Sequence, residues 1–433
     1  MAKLNSFSNL DSSTVAKAAD EFGTPVYVYD ESALIRRCYE CLNMPNAYGL
    51  TVRYAMKANS NRSLLKLISG AGLQFDASSI NEAVRANIAG IPYENIMLTS
   101  QEAHAGAERA KLEELLLLGL KYNVCSLHQL RLIADFAAAN GICPGIRVHP
   151  GVGSGESATR NTGDDYACFG IHLSDVGEAI SCASAKGLKF RHIHEHIGSG
   201  ADSEIWRQNI DIQLDIVGKY FPDAETVCFG GGLKEARMPD EQAADPEVLG
   251  NYAKSQLENF FKKTGRKLKM EIEPGTFISA NAGYMLTRII DKKSTSRSNF
   301  IVTDGGMEMN ARPLLYGSRH PVYILASDGS FVKSSEFNGG ATGDYSAVVA
   351  GKCCESGDCQ TLEPDGRSVA RCMAEPEIGD IAVIGGTGAY CSSMSPFNYN
   401  SHTQAPEVLF TAGGSLKLIR KRQTLEQMLE NEV

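Results

Sequence analysis

Val52–Thr99 reads VRYAMKANSNRSLLKLISGAGLQFDASSINEAVRANIAGIPYENIMLT, and its hydrophobic period switches back and forth along its length. The run Val52–Ala55 suits a strand, and a polar turn around Lys57 follows it. Leu64, Leu65, Leu67 and Ile68 fall near helical spacing, so Ser63–Ala71 is predicted as a helix that Gly72 ends. Leu73–Ala77 then reads as a strand, Asn81–Ala89 as a helix and Ile96–Thr99 as a strand. A period moving from 3.6 to 2 and back marks βα units and a parallel sheet.

The same alternation continues downstream. Ala110–Leu118, Gln129–Ala139, Leu173–Ala185, Trp206–Tyr220 and Pro246–Thr264 have helical patterns. Tyr122–Val124, Gly145–Val148, Phe190–His196, Thr226–Phe229 and Lys269–Glu273 have strand patterns. About eight βα units over roughly 240 residues match a (β/α)8, TIM-like barrel, with an open doubly wound sheet as the alternative. The barrel is expected over 32–280. Beyond it the chain turns to short β runs at Asn299–Thr303, Val322–Ala326, Ala347–Val349, Ile381–Ile384 and Val408–Phe410, separated by Gly-rich turns. The α/β barrel is therefore expected to carry a second, β-rich barrel or sandwich domain formed by 1–31 and 281–433. Thr24–Tyr29 (TPVYVY) is its candidate N-terminal strand.

Composition narrows the class. The 433 residues are 43% hydrophobic and 21% charged, enough apolar content for a large core. A net charge of −9, with no basic tract interleaved with aromatics, argues against a nucleic-acid partner. No run approaches the ~18 apolar residues of a membrane span, and the first residues lack an export-type apolar stretch. The expected compartment is the cytoplasm, with the twelve cysteines as thiols.

Polar residues recur just after the predicted barrel strands, at the edge where barrels build active sites. Lys57 follows the first strand, His196 ends another and leads into Gly198-Ser199-Gly200. Gly230-Gly231-Gly232 follows Thr226–Phe229, and Glu273-Pro274-Gly275 ends the last strand. A lone lysine is ordinarily a solvated surface residue; one between an apolar strand and a polar turn can be desolvated, which frees its amine for Schiff-base chemistry. Three glycines after a strand are either a flexible turn or a loop whose backbone N–H groups close on a phosphate. His192, His194 and His196 share one face of a strand, which raises a metal-dependent hydrolase as a competitor. Only His196 would reach the rim, however, and the other two are expected to pack inside. Cys38 and Cys41 form an isolated CxxC in a predicted helix and read as structural. Cys354-Glu355-Ser356-Gly357-Asp358 crowds a thiol, two carboxylates and a hydroxyl into one turn, as consistent with turn chemistry as with function.

In order along the chain, YAMKANSN, HIGSG, FGGGL, EIEPG, ARPLLYGSRH, CESGD and GAYCSSMSPFNYN resemble the motifs of the diaminopimelate decarboxylases, alanine-racemase-like enzymes of fold type III that use pyridoxal 5'-phosphate. The resemblance runs from about Gly23 to the C-terminus. It implies a homodimer with active sites at the subunit interface and a small amino acid, meso-2,6-diaminopimelate, as substrate. Lys57 would be the Schiff-base lysine, His196 would stack on the pyridine ring, and Glu273 would pair with the ring nitrogen. Ser199, Gly231, Gly232 and Gly275 would line the phosphate, with the Tyr390 hydroxyl near it. Arg312 and Tyr316 would hold the distal carboxylate. Cys354 and Glu355 would come from the partner subunit, the thiol to protonate the α-carbon and the carboxylate to meet the distal ammonium.

Two departures bear on specificity. The family usually has arginine after Glu-Pro-Gly, where this chain has Thr276, and Tyr166-Ala-Cys-Phe-Gly replaces the more usual Ser-Lys-Phe-Gly. A buried carboxylate short of one charged partner is under-compensated by several kcal/mol. Arg319 or Arg160 could supply that charge, or the substrate could have a different distal end, as in D-lysine, D-ornithine or a carboxylated polyamine. A racemase, a metal hydrolase and a cofactor carrier without catalysis rank below these.

Overall fold

The computed structural model describes residue 4 and residues 8–153, 161–164, 166–198, 202–336, 343–363 and 365–433. After β1 (Val26–Asp30) come eight parallel strands: β2 (Leu50–Ala55), β3 (Gln74–Ala77), β4 (Ile96–Thr99), β5 (Lys121–Val124), β6 (Gly145–Arg147), β7 (His192–His194), β8 (Thr226–Cys228) and β9 (Lys269–Ile272). Each bonds to the next, and β9 closes onto β2 through Leu50–Met270, Thr51–Glu271 and Val52–Ile272. Closure makes this a (β/α)8 barrel and excludes the open sheet.

The helices between the strands start where short polar side chains can take an orphan N–H. Asn61, Ser79, Ser126, Asp202 and Asp245 each accept from a backbone N–H of the following first turn. The strand read over Phe190–His196 is only His192–His194, so His196 lies past the ladder in the rim segment.

The C-terminal strands are β10 (Gly283–Ser294), β11 (Asn299–Thr303), β12 (Val322–Leu325), β13 (Val332–Ser335), β14 (Tyr345–Ala350), β15 (Arg371–Met373), β16 (Ile381–Gly385), β17 (Glu407–Phe410) and β18 (Leu416–Arg420). The sheet order is β13-β12-β16-β10-β1-β17-β18, and β10 continues past a bulge near Ile289–Asp291 to pair with β11, which leads to β14 and β15. A bulge bends a strand, which lets one long element serve two ladders. β1 does enter this sheet, antiparallel to β10 and parallel to β17. The helix Ser12–Phe22, which the sequence reading passed over, packs Val15, Ala18 and Ala19 with Val26, Val28, Leu286 and Val383 in its core.

Two compact units result. The β-rich one comprises Met1–Arg37, Glu235–Gln242 and Thr276–Val433; the barrel one comprises Cys38–Lys234 and Ala243–Gly275. The segment Glu235–Gln242 leaves the barrel unit just after the triple-glycine turn and belongs to the β-rich one. Among the described residues no helix is long and apolar enough to cross a membrane.

Candidate active site

Inside the barrel the side chains form stacked polar layers. In the lower one, Arg53 from β2 grips Glu271 from β9 through two hydrogen bonds, 2.8 and 3.1 Å. His192 bridges Asn123 and Glu271, 2.9 Å from each. Burial alone would raise the Glu271 carboxyl, but the Arg53 and His192 charges hold it well below the usual carboxylate range. This layer is a filled core, bonded within itself.

One layer up, towards the rim, the chemistry changes. Glu273 follows β9, is buried, and receives His194 Nε2 at 2.9 Å and the Cys228 thiol at 3.3 Å. Burial pushes its carboxyl up, against the pull of the Lys57 charge. Asp76, at the end of β3, is also buried and is pushed up to about 8, by burial first and by the Glu273 charge second. Two acids sharing one dry mouth cannot both ionise cheaply unless cations balance them. Lys57 supplies one such charge. It is the middle residue of the single 3-10 turn Met56–Ala58 that follows β2. Its side chain is exposed, and its charge acts on both buried acids.

The glycines explain how the rim is assembled. A Cβ on Gly231 would lie 2.7 Å from the Glu273 carbonyl oxygen and 3.0 Å from His196 Cε1. Only a residue without a side chain fits there. Its N–H donates to His196 Nδ1 at 2.9 Å, and its carbonyl accepts from Trp206 Nε1 at 3.2 Å. Because Nδ1 accepts, the neutral ring carries its proton on Nε2. Burial, then the Lys57 and Arg147 charges, hold His196 well below the usual imidazole range. Gly275 lets the last strand abut the lysine turn: a Cβ there would meet that of Ala58 at 3.1 Å. Gly232 has φ +99°, the left-handed region that favours glycine. Ser199 and Arg160 lie outside the described residues.

The remaining candidates lie in the β-rich unit. Arg312 opens the short helix Arg312–Tyr316, is 1% exposed, and donates to Ser318 Oγ at 3.1 Å. Its guanidinium carbon is 5.8 Å from the Tyr316 ring and 5.9 Å from that of Tyr390. Tyr390 has φ +58°, uncommon for a bulky residue and a mark of a position held by its surroundings. Cys354 and Glu355 lie on an exposed turn. The Cys354 N–H donates to Asn400 Oδ1 at 2.7 Å, and Tyr399 lies 3.5 Å from Glu355. Under that turn Asp358 accepts from the backbone N–H groups of Met307 and Cys353, at 2.7 and 2.6 Å. Arg319 is tied to Asp240 at 2.9 and 3.0 Å.

Residues 33–280 match the family model described as the pyridoxal-dependent decarboxylase, pyridoxal binding domain. The diaminopimelate decarboxylase of Escherichia coli (strain K12) is 33% identical over 98% of this chain and 97% of its own length. The chain belongs to the diaminopimelate decarboxylase family. That of Streptomyces coelicolor is 32% identical over 98% of this chain and 92% of its own length. A crystal structure of a diaminopimelate decarboxylase, 33% identical, superposes with a TM-score of 0.85 over 96% of each chain. One from Helicobacter pylori, complexed with L-lysine, is 26% identical with a TM-score of 0.78, over 96% of this chain and 98% of its own.

Pyridoxal phosphate is the cofactor of this family, and the rim fits it. A pyridine ring needs an acid that gains from its N–H, and Glu273 is a buried carboxyl pushed up for want of charge. A phosphate needs a turn that no side chain crowds, and Gly231, with no room for a Cβ, and the left-handed Gly232 provide one. An aldehyde needs an amine, and Lys57 presents one. The sequence reading does not single out Asp76, Cys228 or Arg147, and it places His194 inside the barrel, where it is buried and bonded to Glu273. Asp76 alone left a signal, an acid inside the apolar run Leu73–Ala77. The three histidines do not converge as one ligand set: His192 goes to Glu271, His194 to Glu273 and His196 to the glycine loop.

Proposed function

We propose that the chain removes the carboxyl group at the D-centre of meso-2,6-diaminopimelate, giving L-lysine and CO2. The observation that carries this is the rim: Lys57 one turn past β2, braced on Gly275, with its charge acting on the buried Glu273. The full-length likeness to diaminopimelate decarboxylases supports the substrate. When bound, pyridoxal phosphate supplies a sink for the electron pair left by CO2. Lys57 would hold it through its amine. Glu273 would pair as a carboxylate with the protonated ring nitrogen, each charge stabilising the other. His196, neutral and oriented by Gly231, presents its ring face. Gly231, Gly232, Gly275, Ser199 and Tyr390 serve the phosphate.

Arg312 suits the carboxylate that survives the reaction, because a guanidinium meets carboxylates in a planar, bidentate way, and Tyr316 stands beside it. Cys354 delivers the proton to the α-carbon and Glu355 receives the distal ammonium, both from the partner subunit of a homodimer. The exposure of their turn supports a role away from their own subunit's core. All twelve cysteines are free thiols, which supports a cytoplasmic setting.

The test is CO2 release by purified, cofactor-loaded enzyme with meso-diaminopimelate, D-lysine and D-ornithine. Preference for meso-diaminopimelate is expected. Faster turnover of either substrate lacking the distal carboxylate would refute the assignment.

A further inference from the structure

The neutral Thr276 leaves open which second cation, if any, meets the substrate's distal carboxylate. Thr276 is buried and opens the four-residue helix Thr276–Ser279, so no charge comes from that position. Arg319 is engaged by Asp240 and Glu241 and is a third exposed, on the outside of its unit. The segment Glu235–Gln242, however, brings a different arginine inward. Arg237 is 2% exposed, among the largest fully buried side chains of the chain. Arg319, by holding Asp240, braces the very loop that carries it. Asn281 braces the loop from the other side, donating to the Ala236 carbonyl at 2.8 Å.

Arg237 is laid along the turn that follows β16. Its Nε donates to the Gly386 carbonyl at 3.1 Å, and a Cβ on Gly386 would lie 2.9 Å from its Cγ and Cδ. Gly386 has φ +67°, which favours glycine, and the arginine stem packs against its open side. The chain running on from Gly386 reaches Tyr390, whose ring centre lies 5.9 Å from the Arg312 guanidinium carbon. Two guanidinia, both nearly fully buried, therefore converge on one segment of one unit. The groups around them register both charges. His320, buried and bonded to the Gly385 carbonyl at 2.8 Å, is held well below the usual imidazole range by burial and then by Arg237 and Arg312. The Cys391 thiol, pushed up to about 11 by burial, is drawn back by the same two.

We infer that Arg237 acts with Arg312 as the second cation for the carboxylate that the substrate keeps after decarboxylation, in the role that Thr276 leaves open. This rests on the proposed substrate. The assignment makes Arg237 a specificity-determining residue: it discriminates ligands with that carboxylate from ligands without it. A structural role for the hydrogen bond to Gly386 would not.

The experiment is calorimetric titration of the holoenzyme with L-lysine, which keeps the carboxylate, and with 1,5-diaminopentane, which differs only in lacking it. Wild type is expected to prefer L-lysine. In Arg237→Gln the preference should fall by about 30-fold or more, since one partner of a buried charged contact is lost, while 1,5-diaminopentane binds as before. Arg237→Lys keeps the charge without the planar fork and should lose about 3- to 10-fold; it decides the matter if the glutamine variant does not fold. An unchanged preference in the folded variant overturns the role of Arg237 alone. A wild type indifferent to the carboxylate overturns the proposed substrate and the Arg237 assignment together.

Discussion

Replacing Gly231 by alanine puts the geometry of the rim to a direct test. The new methyl would sit 2.7 Å from the Glu273 carbonyl oxygen and 3.0 Å from His196 Cε1, so contact distance requires a shift of about 0.7 Å. The oxygen cannot yield easily, because the Glu273 N–H is bonded to the Gly230 carbonyl at 2.8 Å. Gly231 cannot back away without straining its bonds to His196 and Trp206. Overpacking at about 1–3 kcal/mol, plus part of two hydrogen bonds at about 1 kcal/mol each, gives a cost of about 2–4 kcal/mol. For a unit of this size the melting temperature of the apoprotein should drop by about 4–15 °C. Displacing by that distance the glycine turn proposed to hold the phosphate should also weaken pyridoxal phosphate binding by about 10- to 100-fold. Calorimetry of the apoprotein reads the first, and equilibrium dialysis against pyridoxal phosphate, followed by visible absorbance, reads the second. Gly218→Ala is the control: its nearest neighbour would be Phe260 at 3.6 Å, and as a helical alanine it should be neutral or stabilising by up to about 1 kcal/mol. A Gly231→Ala protein that melts and binds cofactor like wild type would refute the reasoning. One that melts early yet binds normally would keep the packing argument and move the phosphate elsewhere.

Three further outcomes are expected. Asp76 is raised from 3.8 to about 8 in the fold, so its contribution to stability is full below about pH 4 and lost as pH climbs to about 8; Asp76→Asn apoprotein should therefore gain on wild type in urea unfolding across that window, and a constant difference would count against the buried acid. Arg53→Met strands the Glu271 carboxylate in the barrel and should cost about 3–5 kcal/mol, most of it recovered in Arg53→Met/Glu271→Gln; equal losses in the single and double variants would mean that the charge pair is not the cause. Mixing inactive Lys57→Ala and Cys354→Ala subunits should restore CO2 release in hybrid dimers, and continued inactivity after demonstrated subunit exchange would remove Cys354 from the partner's site.

Much of the barrel was legible because burial imposes a period. Helices such as Pro246–Thr264 and strands such as Ile96–Thr99 need one buried face or a fully buried run, and that need is written locally. β10 escaped notice because its first half, buried, and its second, exposed, obey different neighbours. The rim residues stand out by their positions after strands and by motif resemblance, and His194 by its alternation with His192 and His196, whereas Cys228 carries no local mark. The exposure of Lys57 is not written locally, since solvation depends on what lies across the mouth. Arg237 is the plainest case: as a sequence it is one arginine in a polar loop, and only the departure of Glu235–Gln242 into the β-rich unit shows it buried against Gly386.

Sequence alone yields the alternation of βα units and the β-rich second part, because burial and turns impose local patterns, and the ordered motifs yield the family and the candidate lysine, acid and glycines. The tertiary structure alone decided that the sheet closes, that β1 sits between β10 and β17, that Glu273 and Asp76 share a dry mouth, and which arginines are driven inward. Those are matters of burial and of charges meeting across space, and residues far apart in the chain set both.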